Sequence, residues 1–294
     1  MKTRLTFLGI SVIILGGFLL SCTPPIEGEL TMLVEYDTRE DITSPHWSSE
    51  GSMIYFIHMG PDDVSQIWSV DVATCSLTLI RDEYFYEMDV SRTDDLCSPA
   101  HRDYNDSIRV YDLETWDQVY TVFQENIYDY PKFSVESSHI VYYNECGEGW
   151  DSTLLHKVDL ESQTNEVILD AGPGYYSVTP GPGDSLFVLG DTIYNINTAE
   201  RIPLELGFPT SVNYDWNPLN SWELIVCDGV GDKCITLLNL ETKERQRVKV
   251  TLDGLQVASL ENPVFSPDGK RIAFVAVRGA DSFYRYQLWI LDLM

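Results

Sequence analysis

From residue 29 onward, apolar and polar positions alternate in short runs broken by tight-turn residues, a period-two pattern that predicts β-strands throughout. The pattern is clearest in Pro263-Val264-Phe265-Ser266-Pro267-Asp268-Gly269-Lys270-Arg271-Ile272-Ala273-Phe274. Val264 and Phe265 end one strand, Pro267 presets φ, Asp268 can bond the backbone ahead, and Gly269 supplies a positive φ before the next strand. Gln287 to Leu293 then gives a third strand. Aligning on the apolar residue before each such turn yields Trp47, Val90, Phe133, Val178, Trp216 and Phe265, at intervals of 43, 43, 45, 38 and 49 residues. A second landmark follows each anchor, from Val70-Asp71 through Tyr111-Asp112 and Val158-Asp159 to Leu291-Asp292. In five units a fourth strand comes next, such as Leu77 to Ile80. A period near 43 residues suits four short strands per unit. The second unit is the weakest, because Pro99 falls where its second strand should run. The fourth replaces the usual turn with Thr179-Pro180-Gly181-Pro182-Gly183-Asp184.

The two ends of the chain decide the architecture. The last unit stops one strand short at Met294, while Glu29 to Asp37 forms a strand with nothing of its own to pair with. In a ring these facts cancel, since the N-terminal strand becomes the outer strand of the last unit and two open sheet edges disappear. The expectation is an all-β, six-bladed β-propeller of four-stranded blades, with the N-terminal strand completing the last blade.

Pro263 to Asp292, and next Pro45 to Asp71, resemble the propeller repeats of the TolB family and of PD-type repeat proteins. The other four units match in spacing more than in letters. The resemblance implies the same propeller over residues 29–294. The chain has no room for the additional N-terminal α/β domain of TolB, so the role of that domain is not carried over.

The N-terminus reads as a targeting segment. Lys2 and Arg4 precede an apolar stretch from Leu5 to Leu20, and Leu19-Leu20-Ser21-Cys22 closes it. That tetrapeptide resembles the lipobox of bacterial lipoproteins, although Leu20 is larger than usual at its position. The resemblance implies residues 1–21 as a cleaved signal peptide, lipidation of Cys22, and residues 22–28 as a tether. The competing reading is an ordinary secretory signal or an uncleaved anchor. Thr23, rather than aspartate, follows the cysteine, which favours the outer membrane, with the propeller in the periplasm or at the cell surface.

Charge narrows the partners. Forty-six acids face nineteen lysines and arginines, and removing residues 1–21 takes away two cations and no acid, so the net charge moves from −27 to −29. Such a chain does not bind nucleic acid by simple electrostatics. An anionic lipid surface would repel it too, so membrane attachment falls to the lipid chain alone.

No motif for catalysis emerges. There is no GxSxG elbow, no HExxH, and no glycine-rich phosphate loop, and His46, His58, His101, His139 and His156 are scattered. No metal or other cofactor is expected. Cys227 and Cys234 flank a turn-like segment and could pair across a hairpin, as could Cys75 with Cys97, with buried thiols as the alternative. The residues leading into each anchor should face the channel mouth, among them Asp41, His46, Glu87, Asp89, Asp129, Lys132, Tyr176, Tyr214 and Asp215. This acidic, aromatic set is the candidate binding region. Three readings follow: a cell-envelope lipoprotein serving as a non-catalytic platform for a protein partner, a carbohydrate-binding or carbohydrate-active propeller, and a calcium-dependent module.

Overall fold

The computed structural model describes residues 28–36, 40–60, 64–101, 107–123, 131–146, 151–174, 177–204, 213–227, 234–250, 252, 257–280 and 283–293. The expected signal peptide and Cys22 lie outside the described residues, as do Asp129 and Tyr176. The described chain forms twenty-four strands in six four-stranded antiparallel sheets. β1 (Gly28–Glu35) comes first in the chain and last in the ring. Blade 1 is β2 (Asp41–Trp47), β3 (Met53–Met59), β4 (Ser65–Asp71) and β5 (Leu77–Asp82). Blade 2 is β6 (Phe85–Val90), β7 (Leu96–His101), β8 (Ser107–Asp112) and β9 (Gln118–Phe123). Blade 3 is β10 (Lys132–Phe133), β11 (Ile140–Cys146), β12 (Thr153–Asp159) and β13 (Thr164–Gly172). Blade 4 is β14 (Val178–Pro180), β15 (Leu186–Leu189), β16 (Thr192–Asn195) and β17 (Glu200–Pro203). Blade 5 is β18 (Tyr214–Trp216), β19 (Glu223–Cys227), β20 (Cys234–Asn239) and β21 (Arg245–Lys249). Blade 6 is β22 (Val257–Phe265), β23 (Arg271–Ala280) and β24 (Phe283–Leu293), completed by β1.

The ring closes as the end residues predicted. β1 runs antiparallel to β24, from Gly28 opposite Leu293 to Glu35 opposite Gln287. The far end of β1 is fastened by Glu35, which accepts from Gln287 Nε2 at 2.9 Å and Arg278 Nη1 at 3.3 Å. Gly28 and Leu293 together occupy the place where the other blades have the turn between their third and fourth strands.

Six apolar clusters, one at each junction, form the core. Ile42, Trp47, Ile54 and Phe56 of blade 1 pack on Val275, Leu288 and Ile290 of blade 6. The alternation of each strand explains this arrangement, because successive side chains face opposite neighbouring blades. The same alternation corrects one expectation. Cys227 stands opposite Ile235 and faces the blade 6 side with it, whereas Cys234 contacts Thr236 on the other face. The two sulfurs therefore lie on opposite sides of the sheet and form no disulfide. Cys75 on an exposed turn and the buried Cys97 are likewise not joined.

A second correction concerns blade 4. Gly181 N donates to Leu186 O as Ser48 N does to Met53 O and Ser266 N to Arg271 O, so Pro180, not Val178, is the residue before the turn. Gly181 is required there because a Cβ would sit 2.8 Å from the Trp216 ring of blade 5.

Blade 2 departs from the plan where Pro99 predicted it. β7 and β8 pair only through Leu96–Asp112 and Cys97–Tyr111. Leu96 O accepts from Ser91 N on the β6 side, so by alternation the backbone of residue 99 points at β8. Proline has no N–H to offer there, and the ladder opens.

Candidate binding channel

The innermost strands converge on a central cavity of about 120 Å³, lined by residues of all six blades. The positions just before each anchor face one another across it: His46, Asp89, Lys132, Thr179, Asp215 and Val264. Of the nine residues expected at the channel mouth, the structure places His46, Glu87, Asp89, Lys132, Tyr214 and Asp215 on its wall. Asp41 is on the same inner strand as His46 but outside the cavity lining.

Two of these carboxylates are bound to the backbone of the next blade. Asp89 Oδ2 accepts from Phe133 N at 2.6 Å, and Asp215 Oδ2 accepts from Phe265 N at 2.7 Å. The same slot thus joins blade 2 to blade 3 and, across the ring, blade 5 to blade 6. Trp47 Nε1 and Trp216 Nε1 reach back to Val264 O at 3.3 Å and Thr179 O at 3.4 Å, joining two more junctions.

The cations complete the picture. Arg92, from the first turn of blade 2, crosses the channel to blade 5, donating to Trp216 O at 2.9 Å and pairing with Asp215. Lys132 Nζ lies 3.3 Å from Glu87 and 3.9 Å from Asp89. Burial pushes the carboxyls of Asp89 and Asp215 up, opposed for Asp89 by Lys132 and the Phe133 N–H, and for Asp215 by Arg92 and the Phe265 N–H. His46, 3.6 Å from Asp89, is held neutral: burial first, then the Lys132 charge, brings its imidazole down to about 3. Arg92 escaped the sequence reading because it follows its anchor rather than leading into it. A signal was present, since the same slot holds Ser49, Val135, Pro182, Pro218 and Pro267 in the other blades.

At the other end of the channel the polar groups are less well matched. Burial, with Glu261 nearby, raises the Asp41 carboxyl to about 6, and its Oδ1 has no hydrogen-bond partner among the described residues. The buried Tyr214 hydroxyl, on the cavity wall in blade 5, likewise has no hydrogen-bond partner among the described residues. His58 is buried in blade 1, opposite Ile42, stacked on Tyr36 at 4.0 Å and 3.6 Å from Glu40.

A wider cleft of about 400 Å³ opens between blades 1 and 2, beside Pro99, with Arg81, Glu83, Arg109, Tyr111 and Trp116 on its walls. Arg81 is paired with Glu83 and lies 5.9 Å from the centroid of Trp116.

No protein-family model matches this chain, and no curated protein matches it. Solved structures do. TolB from Acinetobacter baumannii superposes with a TM-score of 0.57 at 10% identity, over 92% of this chain and 66% of that one. The fold is a TolB-like six-bladed β-propeller. An oligogalacturonate lyase solved in complex with manganese matches with a TM-score of 0.52 at 12% identity, over 92% of this chain and 97% of that one. A chain of the mitotic checkpoint complex matches with a TM-score of 0.54 at 13% identity, over 98% and 99%. Proteins so different share this architecture, so the TolB-like likeness speaks to fold and leaves function to the site.

Proposed function

We propose that this chain is a bacterial cell-envelope lipoprotein whose TolB-like propeller is a non-catalytic platform for an envelope protein partner, held at the membrane, the outer one favoured, by lipid on Cys22. One observation carries the reading: the charged groups of the channel are engaged with one another and with neighbouring blades. Arg92 is bound to Asp215, Lys132 lies against Glu87 and Asp89, and both aspartates hold backbone amides. A neutral His46 and two latched carboxylates make a brace for the ring. At about 120 Å³ the cavity also falls below the roughly 300–1,000 Å³ of small-molecule sites, which does not favour the carbohydrate reading. Recognition then falls to the outer faces, where Tyr86, Val64 and Tyr284 are exposed on the side carrying the loops between second and third strands and between blades.

The test is photocrosslinking in cells from Tyr284 and Tyr86, each replaced by benzoylphenylalanine in the full chain. A discrete protein adduct from this face is the expected result. Absence of any protein adduct, with the protein folded and membrane-bound, would overturn the platform reading.

A further inference from the structure

The place where β1 begins says which way the molecule faces. Gly28 pairs with Leu293, and Leu293 N donates to Lys270 O in the first turn of blade 6. The chain therefore enters the fold on the face that carries the turns after each first and third strand. Cys22 is six residues before Gly28, a reach of at most about 22 Å. β24, the strand beside the point of entry, has eleven residues and spans roughly 33 Å from that face to the other. A tether of this length cannot pass around the disc and present the opposite face to a bilayer.

The same face carries apolar side chains in the sector next to the tether. Leu219 is 71% exposed and Trp222 44% exposed, both on the first turn of blade 5. A Cβ at Gly269 of the blade 6 turn would lie 3.3 Å from the Leu219 side chain, so Gly28, Leu293, Lys270, Gly269 and Leu219 form one continuous edge. Charge is only partly matched. In this sector the exposed Lys243 and Lys270 offset two of the three acids Glu241, Glu244 and Asp268, and the exposed Glu29 stands opposite Asp292 at the entry. The turns of blades 1 to 4 carry acids such as Glu50, Asp95, Glu114 and Glu161, while Arg92 is turned inward to Asp215. An acidic surface is repelled by anionic headgroups, and a sector where two lysines accompany an exposed indole and a leucine is better tolerated at the interface.

From these placements we infer that the blade 5–blade 6 sector of the turn face rests on the lipid surface, with Leu219 and Trp222 at headgroup depth. This rests on the lipoprotein reading. It leaves the face bearing Val64, Tyr86 and Tyr284 directed away from the bilayer, toward a partner.

The experiment uses the full acylated chain in vesicles of phosphatidylethanolamine and phosphatidylglycerol at about 3:1, a ratio chosen so that anionic repulsion operates. Benzoylphenylalanine replaces Leu219, or Val64 as the opposite-face control; both side chains are exposed, so neither change removes core packing. Acylation is read independently from the mass of the N-terminal peptide and its loss in Cys22→Ala. The expected result is a phospholipid adduct severalfold stronger from position 219 than from position 64. Equal labelling, stronger labelling from 64, or no lipid adduct from either, with Cys22 acylated, would overturn the orientation. A non-acylated Cys22 would overturn the anchoring on which it rests, and leave the crosslinking test of the protein-partner face unaffected.

Discussion

In blade 6 the second strand carries Phe274, fully buried against blade 5, where blade 2 carries Pro99. Two residues beyond each anchor's partner on the second strand, this slot holds Phe56, Tyr143, Leu189 and Val226 in the remaining blades, every one of them buried against the preceding blade. Blade 6 keeps ten paired positions between β23 and β24; blade 2 keeps two between β7 and β8. One proline changes two things at once. It withholds a donor from the ladder and it withholds the volume of a phenylalanine from the junction, beside which a cleft of about 400 Å³ opens. The ring tolerates this because each junction has its own cluster, so a weak blade does not empty its neighbours. The closure, where a free edge would be most damaging, falls on the blade with the longest strands.

The comparison is broken most severely at Phe274. Phe274→Ala should cost about 3–5 kcal/mol in urea unfolding, while Pro99→Ala should stay within about 1 kcal/mol. Similar costs for the two would mean the slot is not what distinguishes the blades. Next comes the latch behind blade 6. Asp215→Asn leaves Arg92 without its carboxylate and weakens the bond to Phe265 N, a loss of about 2–4 kcal/mol. Arg92→Leu/Asp215→Asn should recover part of that loss, because the stranded charge is gone.

Acid should act with opposite sign on the two junctions of blade 1. On the blade 2 side, His46 titrates near 3 when folded against about 6.5 when unfolded, so its contribution is present above 6.5 and lost as pH falls toward 3. On the blade 6 side, Asp41 titrates near 6 when folded against 3.8, so its contribution is present below 3.8 and lost as pH rises through 6. Unfolding curves between pH 4 and 6 should therefore flatten in His46→Gln and steepen in Asp41→Asn, as stability against pH. The smallest effect is the repair of blade 2. Pro99→Phe restores the donor and part of the missing volume and should add about 0.5–2 kcal/mol, with slower hydrogen exchange in β8.

Most of the architecture was legible because it rests on period and spacing. The recurring anchors gave six blades, and the unmatched strands at the two ends gave the closure. Pro99 was legible too, since a missing N–H is written in the residue itself. What escaped depends on partners far away in sequence. The fourth anchor was placed two residues early because Val178 looks apolar and Pro180 looks like a turn residue, and only the hydrogen bond from Gly181 shows otherwise. Cys227 and Cys234 flank one short loop in sequence, yet the register puts Ile235 opposite Cys227. For the channel, alignment brought together His46, Asp89, Lys132 and Asp215 around one cavity, but not their roles. That Asp215 holds the next blade and receives Arg92 from across the ring follows from closure, which no local pattern encodes.

The closure also has a mechanical side. β1 enters on one face of the disc at Gly28 and leaves on the other at Glu35, bonded along its length to β24 through seven paired positions. Tension applied at residue 28 and resisted at the far face runs along the strand axis. The ladder is then loaded in shear, with its bonds sharing the force, rather than peeled open one at a time. A ring fastened this way resists being pulled apart at its seam in the direction along which a tethered molecule is tugged.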